Sequence, residues 1–116
     1  MTQDPVESNP RNYSVVFEND RVRVLEYRDV PGTKTIIHRH PDSVMITASA
    51  FRRRLTTPQR EMDVQLPAGA AQWLPAQEHV GENTGDTETH VFFVELKEAP
   101  PSAAPAAPNL GPAGRT

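Results

Sequence analysis

Turn-forming residues interrupt this chain about every 8–12 residues, and that spacing restricts it to short elements of secondary structure. Pro31-Gly32, Pro67-Ala68-Gly69 and Thr84-Gly85-Asp86 are three of these interruptions. Between them the apolar residues form short β-branched runs, and no segment sustains the 3.6-residue repeat of an amphipathic helix. The pattern predicts an all-β fold, either a sandwich or a barrel.

Nine strands are expected, and a chain of 116 residues has room for them in one domain around one core. They are Ser14–Phe17, Arg21–Val30, Thr33–His40, Val44–Ala48, Phe51–Thr56, Glu61–Leu66, Ala71–Leu74, His79–Asn83 and Thr89–Lys97. Glu18-Asn19-Asp20 separates the first two strands and is typical of a hairpin turn between β-branched runs.

The two ends of the chain differ in composition from its middle. Residues 1–12 carry two prolines among polar neighbours and are expected to form a flexible arm, with docking as an edge strand as the alternative. Residues 99–116 are rich in proline and alanine, with Leu110 as their one large apolar residue. Such a segment buries too little surface to offset its ordering entropy, so we expect a disordered tail. Residues 13–98 then form the β-barrel.

Composition excludes several classes of protein. The chain has 12 Lys+Arg and 15 Asp+Glu, a formal net charge of −3, which argues against binding to nucleic acid. It has no cysteine, so disulfides, thiolate zinc sites and iron–sulfur clusters are excluded. No apolar stretch approaches the roughly 18–20 residues of a membrane span, and the N-terminus has no secretory pattern. We expect a cytoplasmic protein, and a homodimer because the core is small.

The histidines are the most informative polar residues. His38 and His40 lie two residues apart in an expected strand, so both side chains leave the same face of the sheet. Neutral imidazoles that converge on one face can chelate a borderline metal ion. On spacing alone, a pair of solvated or hydrogen-bonded strand histidines is the more frequent alternative.

Two segments resemble the sequence motifs of the cupin superfamily. Gly32, followed after five residues by His38-Arg39-His40, resembles the first motif. Pro75-Ala76-Gln77-Glu78-His79, followed four positions later by Asn83, resembles the second. The resemblance covers about residues 15–97. More narrowly, the segments FENDRVRVLEYRD, HRHPDS, PAQEHVGENTGD and VELK are similar to small single-domain bacterial cupins related to the β-alanine degradation protein family.

The resemblance implies a small jelly-roll barrel in which His38, His40 and His79 hold one divalent transition metal, with zinc, iron, nickel and manganese all suitable. The glutamate ligand of the first motif would fall at Val44 or Met45, so a ligand set without a carboxylate is expected. Three neutral ligands leave the metal its full charge and open positions, which favours a bidentate anionic ligand.

These features predict a metal-dependent enzyme that acts on a small anionic metabolite by dioxygenase-type or Lewis-acid chemistry, with an isomerase or a hydrolase among the options. No general base is identified in the sequence. Two alternatives are a non-catalytic small-molecule binding or sensor cupin and an accessory protein of a catabolic pathway.

Four further residues are candidates for the substrate pocket. His90 could act as an acid or base if its face of the last strand is interior, and an ordinary strand-end role is the alternative. Arg53 could point inward and bind a substrate carboxylate, whereas the alternative for Arg52-Arg53-Arg54 is a solvated edge that deters aggregation. Trp73 and Tyr27 could line the pocket, although a single Trp in a small β protein is more often part of the core.

Overall fold

The computed structural model describes residues 3–97, which form one short helix and nine strands. These elements are α1 Pro5–Ser8, β1 Tyr13–Glu18, β2 Val22–Asp29, β3 His38–His40, β4 Ser43–Thr47, β5 Phe51–Thr56, β6 Glu61–Leu66, β7 Ala71–Leu74, β8 Gln77–Asn83 and β9 Thr89–Leu96. The predicted all-β barrel is confirmed. The expected disordered tail lies outside the described residues. Nothing helical within residues 3–97 has the length and apolar character to cross a membrane.

The strands form two antiparallel sheets that face each other across the interior. One sheet has the order β1-β2-β9-β4-β7 and the other β3-β8-β5-β6. Burial alternates along β9, where every second residue from Thr89 to Glu95 is buried, as the two-residue period of a strand requires. The apolar core consists of the side chains Tyr13, Leu25, Tyr27, Phe51, Val91 and Phe93.

The strand expected over Thr33–His40 is the one that differs most from its prediction, since only His38–His40 is regular. Gly32 has a φ of +89°, which turns the chain before this segment. The Thr35 amide then donates a hydrogen bond of 2.8 Å to the carbonyl of Gly81 in β8. The Asn9 side chain bonds both backbone groups of Ile36, and this replaces a strand partner there.

Residues 3–12, for which a flexible arm was expected, contact the strand β3 and the segment before it in the structure. Asp4 caps helix α1, whose Pro5 is buried. The Gln3 carbonyl accepts a hydrogen bond of 2.7 Å from the Arg39 amide, in the middle of β3. Asn9 is itself buried against Ile36. The polar composition of this segment predicted mobility, but Gln3 and Asn9 form hydrogen bonds with the backbone of β3 and of the residues before it.

The outward face of the five-stranded sheet carries a contiguous row of apolar side chains. The pairing register places one side chain from each strand in a single row: Phe17, Val24, Val94, Val44 and Trp73. Phe17 is 54% exposed and Trp73 56%, and Ile46 in the next row is 40% exposed. An antiparallel sheet normally turns polar residues to the solvent, and a contiguous apolar patch is typical of an interface. We propose this face as the contact surface of the expected homodimer.

Light scattering at micromolar concentration is expected to give twice the mass of the chain. Ile46→Lys should yield a monomer, because it places a charge in the apolar face where the second copy would exclude water. Gln65→Lys is the matched control, since it adds the same charge to an exposed position of the four-stranded sheet. A monomeric wild-type protein would contradict the prediction.

Candidate metal centre

Pairing between β3 and β8 brings three histidines together inside the barrel. His38 lies directly opposite His79 in the register, and His40 follows on the same face of β3, while Arg39 between them is exposed. All three histidines are buried, and each offers a ligand atom within 4.8 Å of the others. The sequence-predicted group His38, His40 and His79 is therefore a single cluster.

Hydrogen bonds fix how the three rings present their nitrogens. The Nδ1 atoms pair with oxygen acceptors as follows: His38 with the Ile36 carbonyl at 2.8 Å, His40 with Glu95 Oε2 at 2.9 Å, and His79 with Gln77 Oε1 at 2.7 Å. Because these oxygens accept a proton from Nδ1, each neutral ring keeps an unprotonated Nε2. This is the arrangement by which proteins orient histidine ligands toward a metal.

The electrostatics of the cluster also suit a metal ion. Burial lowers the pKa of His38 to about 4, an effect that its bond to the Ile36 carbonyl opposes in part. Burial and the nearby His40 and His38 lower the pKa of His79 to about 3. Both rings are therefore neutral at neutral pH, and neutral imidazole is the form that binds a borderline divalent ion. The donor set fits such an ion.

Tyr13 is a member of the cluster that the sequence analysis missed. Its Oη lies 3.1 Å from His38 Nε2 and 3.2 Å from His40 Nε2. The ring is buried and packs against Tyr27, with 4.6 Å between the ring centroids. No local sequence signal marks Tyr13, because β1 and β3 approach each other only through closure of the barrel.

Glu95 is the second missed residue. It lies on the inward face of β9, is 2% exposed, and accepts hydrogen bonds from Arg23 Nε at 3.1 Å and Nη2 at 3.0 Å. Arg23 also donates to Asp4 Oδ1 at 2.7 Å. Since Glu95 accepts from His40 Nδ1, it orients that ring. A charged residue on the same face as Val91 and Phe93 was the signal that could have identified Glu95.

The residues at the usual glutamate position of the first motif do not supply a carboxylate. The register places Val44 on the outward face, in the row of Val94 and Trp73. Met45 points inward and lines the cavity beside the histidines. The ligand set without a carboxylate stays a prediction.

A cavity of about 430 Å³ adjoins the histidines. His38 and His79 lie at its buried end, and the exposed Arg60, Met62 and Trp73 lie at its mouth. The apolar side chains along its walls are Met45, Phe51, Leu55, Val64, Leu74, Val91 and Phe93. No aspartate or glutamate is among the described residues that line it. The cavity therefore combines an apolar body with a nitrogen-rich end.

Arg53 points inward, as one of the two sequence interpretations suggested, but its charge already has a partner. Its Nη1 lies 2.5 Å from Asp29 Oδ2, and its Nη2 donates to Tyr27 Oη at 3.2 Å. Burial acts to lower the pKa of Arg53, but Tyr27 and Asp29 outweigh it and raise that pKa. A Cβ at Gly81 would lie 2.7 Å from Arg53 Nη2, so the glycine provides room for the guanidinium. Use of Arg53 by a substrate carboxylate stays a prediction.

The other predicted pocket residues divide into two groups. Tyr27 and Trp73 both border the cavity, Trp73 from the exposed edge strand β7. His90 is not among the described residues that line the cavity, and its pocket role was expected only if its face of β9 were interior. It lies on the outward face of β9, where its Nε2 is 2.6 Å from Glu26 Oε2. The sequence could not show which face of β9 is inside, because apolar residues occur on both faces.

The fold and the histidine group together define a small β-barrel protein with a candidate metal centre. No protein-family model and no curated protein matches the sequence, but solved structures do. A cupin domain from Bordetella pertussis is 34% identical, with a TM-score of 0.69 over 74% of this chain and 92% of that one. At this identity and coverage, the chain belongs to the cupin family.

Two more distant structures support the fold alone. An RmlC-like cupin family protein with a double-stranded β-helix fold from Methanocaldococcus jannaschii is 14% identical, with a TM-score of 0.59 over 72% of this chain and 77% of that one. The polyketide cyclase RemF from Streptomyces resistomycificus is 18% identical, with a TM-score of 0.57 over 77% and 66% of the two chains. The narrower resemblance to the β-alanine degradation family stays a prediction.

Asp29→Asn is expected to lower the free energy of unfolding by about 3–5 kcal/mol, because it leaves the buried Arg53 guanidinium without its counter-charge. Asp63→Asn is the matched control, since Asp63 pairs with Arg54 at 3.0 Å on the exposed surface. Its cost should stay below about 1 kcal/mol. Urea unfolding of the three proteins measures both values, and equal losses would contradict the prediction.

Proposed function

We propose that this protein is a metal-dependent cupin enzyme, with His38, His40 and His79 as ligands of one divalent transition metal. Its substrate would be a small molecule with an apolar body and an anionic, oxygen-chelating head. One observation carries the proposal: three buried histidines, each with its Nδ1 bonded to an oxygen, form one cluster, and two of them line the end of an apolar cavity. The zinc, iron, nickel and manganese ions all remain suitable.

The anionic head group of the proposed substrate is inferred from the neutral charge of the three histidine ligands. A divalent ion held by three neutral imidazoles would act as a Lewis acid with positions open to substrate oxygens. Glu95, the nearest carboxylate to His40, is neutralised by Arg23, so the described protein groups add little negative charge at this point. An enolate, or a carboxylate with a neighbouring oxygen, is the chemistry that would complement the site.

The body of the substrate follows from the cavity walls. A volume of about 430 Å³ lies within the range of small-molecule sites. Met45, Leu55 and Phe93 are among the side chains that would remove an apolar group from water. Arg60 at the mouth is exposed, and its charge would attract an anionic ligand toward the entrance.

The protein groups favour activation of the substrate by coordination. Asp29 is bound by Arg53 and Glu95 by Arg23, and no carboxylate is found among the described residues lining the cavity. A reaction that needs a carboxylate base would therefore find none at this surface. Dioxygenase-type chemistry and Lewis-acid chemistry both fit this condition.

The same observation favours a second candidate function, a non-catalytic binding or sensor cupin. A cavity without a carboxylate base can hold a chelating ligand and leave it unchanged. This candidate shares the metal and the ligand chemistry of the first and differs from it in the absence of turnover.

Elemental analysis of protein purified without chelators is expected to find about one transition metal per chain. His38→Ala/His40→Ala should bind none, because it removes two of the three ligands. His90→Ala is the matched control and should retain the metal, since His90 faces outward against Glu26. Absence of metal from the wild type, even after reconstitution, would contradict both metal-dependent functions.

Turnover separates the two functions. Metal-loaded protein is tested with 1,3-diketones and 2-oxo acids, and product formation, oxygen uptake and binding are measured together. Product that is formed by the wild type and lost in His79→Ala supports the enzyme. Saturable binding with no product under any of the four metals overturns the enzyme and supports the binding or sensor module.

A further inference from the structure

We propose that Tyr13 is the fourth protein ligand of this metal centre, through its phenolic oxygen. The inference rests on the proposed metal site and assigns to it a donor that the two cupin-like motifs do not contain. Tyr13 begins β1, whereas the three histidines lie on β3 and β8. Three separate features of the structure support this assignment.

The first feature is the distance from Tyr13 Oη to the histidine nitrogens. Two donors bonded at about 2.0–2.1 Å to one metal ion are separated by about 2.9 Å in octahedral and about 3.3 Å in tetrahedral geometry. Tyr13 Oη lies 3.1 Å from His38 Nε2 and 3.2 Å from His40 Nε2. Both distances fall inside the range expected for neighbouring ligands of the same ion.

The second feature is that two ring nitrogens approach the same phenolic oxygen. His38 and His40 each have Nδ1 within hydrogen-bond distance of another oxygen, and both direct Nε2 at Tyr13 Oη. The three atoms thus surround a position where a cation would contact all of them. Coordination by the phenolate would release the phenol proton to solvent.

The third feature is the rigid position of the phenol ring. Its centroid is 5.4 Å from that of His38, 4.6 Å from Tyr27 and 5.9 Å from Phe93. The Tyr13 amide donates a hydrogen bond of 3.0 Å to the Asn9 carbonyl, which ties this end of β1 to the N-terminal segment. A donor held in this way needs no reorganisation to bind, and such preorganisation favours coordination.

The chain contains two tyrosines, and this makes a spectroscopic test specific. Full-length protein is loaded with Fe(III), and the visible charge-transfer band of an iron–phenolate bond is measured. The wild type should show the band and Tyr13→Phe should lack it. Tyr27→Phe is the matched control and should keep it, because Tyr27 Oη bonds Asp29 and Arg53. Absence of the band from iron-loaded wild type, or its presence in Tyr13→Phe, would overturn the proposal.

Zinc affinity, measured by competition with a chelator, gives a second readout. Tyr13→Phe should bind Zn²⁺ at least about 10-fold more weakly than the wild type, since the loss of even an outer-shell partner typically costs that much. Equal affinity would overturn the role of Tyr13 and leave the three-histidine site intact, whereas no binding by the wild type would overturn the proposed function itself.

If Tyr13→Phe fails to fold, the proposal is tested by NMR on wild-type protein labelled with ¹³C at the tyrosine Cζ atoms. Zn²⁺ should shift the Tyr13 resonance toward the phenolate position and leave that of Tyr27 in place. Two unshifted resonances in zinc-loaded protein would overturn the proposal.

Discussion

The pairing of β3 with β8 is the constraint on which the candidate site depends. It sets His38 opposite His79, and it keeps His40 on the same inward face. Because side chains alternate along a strand, a slip of one residue would turn the β3 histidines toward solvent. The N-terminal segment helps to hold this register, since the Gln3 carbonyl accepts from the Arg39 amide and Asn9 bonds Ile36 just before β3.

This arrangement places polar side chains in the interior, and the fold must provide hydrogen-bond and ion-pair partners for them. Inside the barrel, Glu95 bonds both His40 and Arg23, and Asp29 bonds Arg53. These pairs keep buried charges neutralised, which is necessary where the surroundings are too apolar to solvate them. The cavity and the buried polar groups occupy interior volume that apolar side chains would otherwise fill, so less apolar surface is buried there. The apolar outward face of the five-stranded sheet is therefore the natural place for further burial.

Much of the architecture could be predicted from local sequence. Strands β5, β6 and β7 coincide with their predicted limits because turn residues bound each one. The prediction for Thr33–His40 was too long because an asparagine side chain, 27 positions away from Ile36, replaces a strand partner. The face on which His90 lies could not be predicted for a different reason. Apolar residues occupy both faces of β9, so the sequence does not show which face is inside the barrel.

The sequence by itself determined the all-β class, the common face of His38 and His40, and the order of the two cupin-like motifs, because turn chemistry and strand alternation act over a few residues. Tertiary structure alone decided that Tyr13 and Glu95 contact the histidine cluster. Tyr13 reaches His38 across 25 positions of the chain, and Glu95 reaches His40 across 55. Contacts of this range exist only after the sheets have closed, so no local pattern of residues records them.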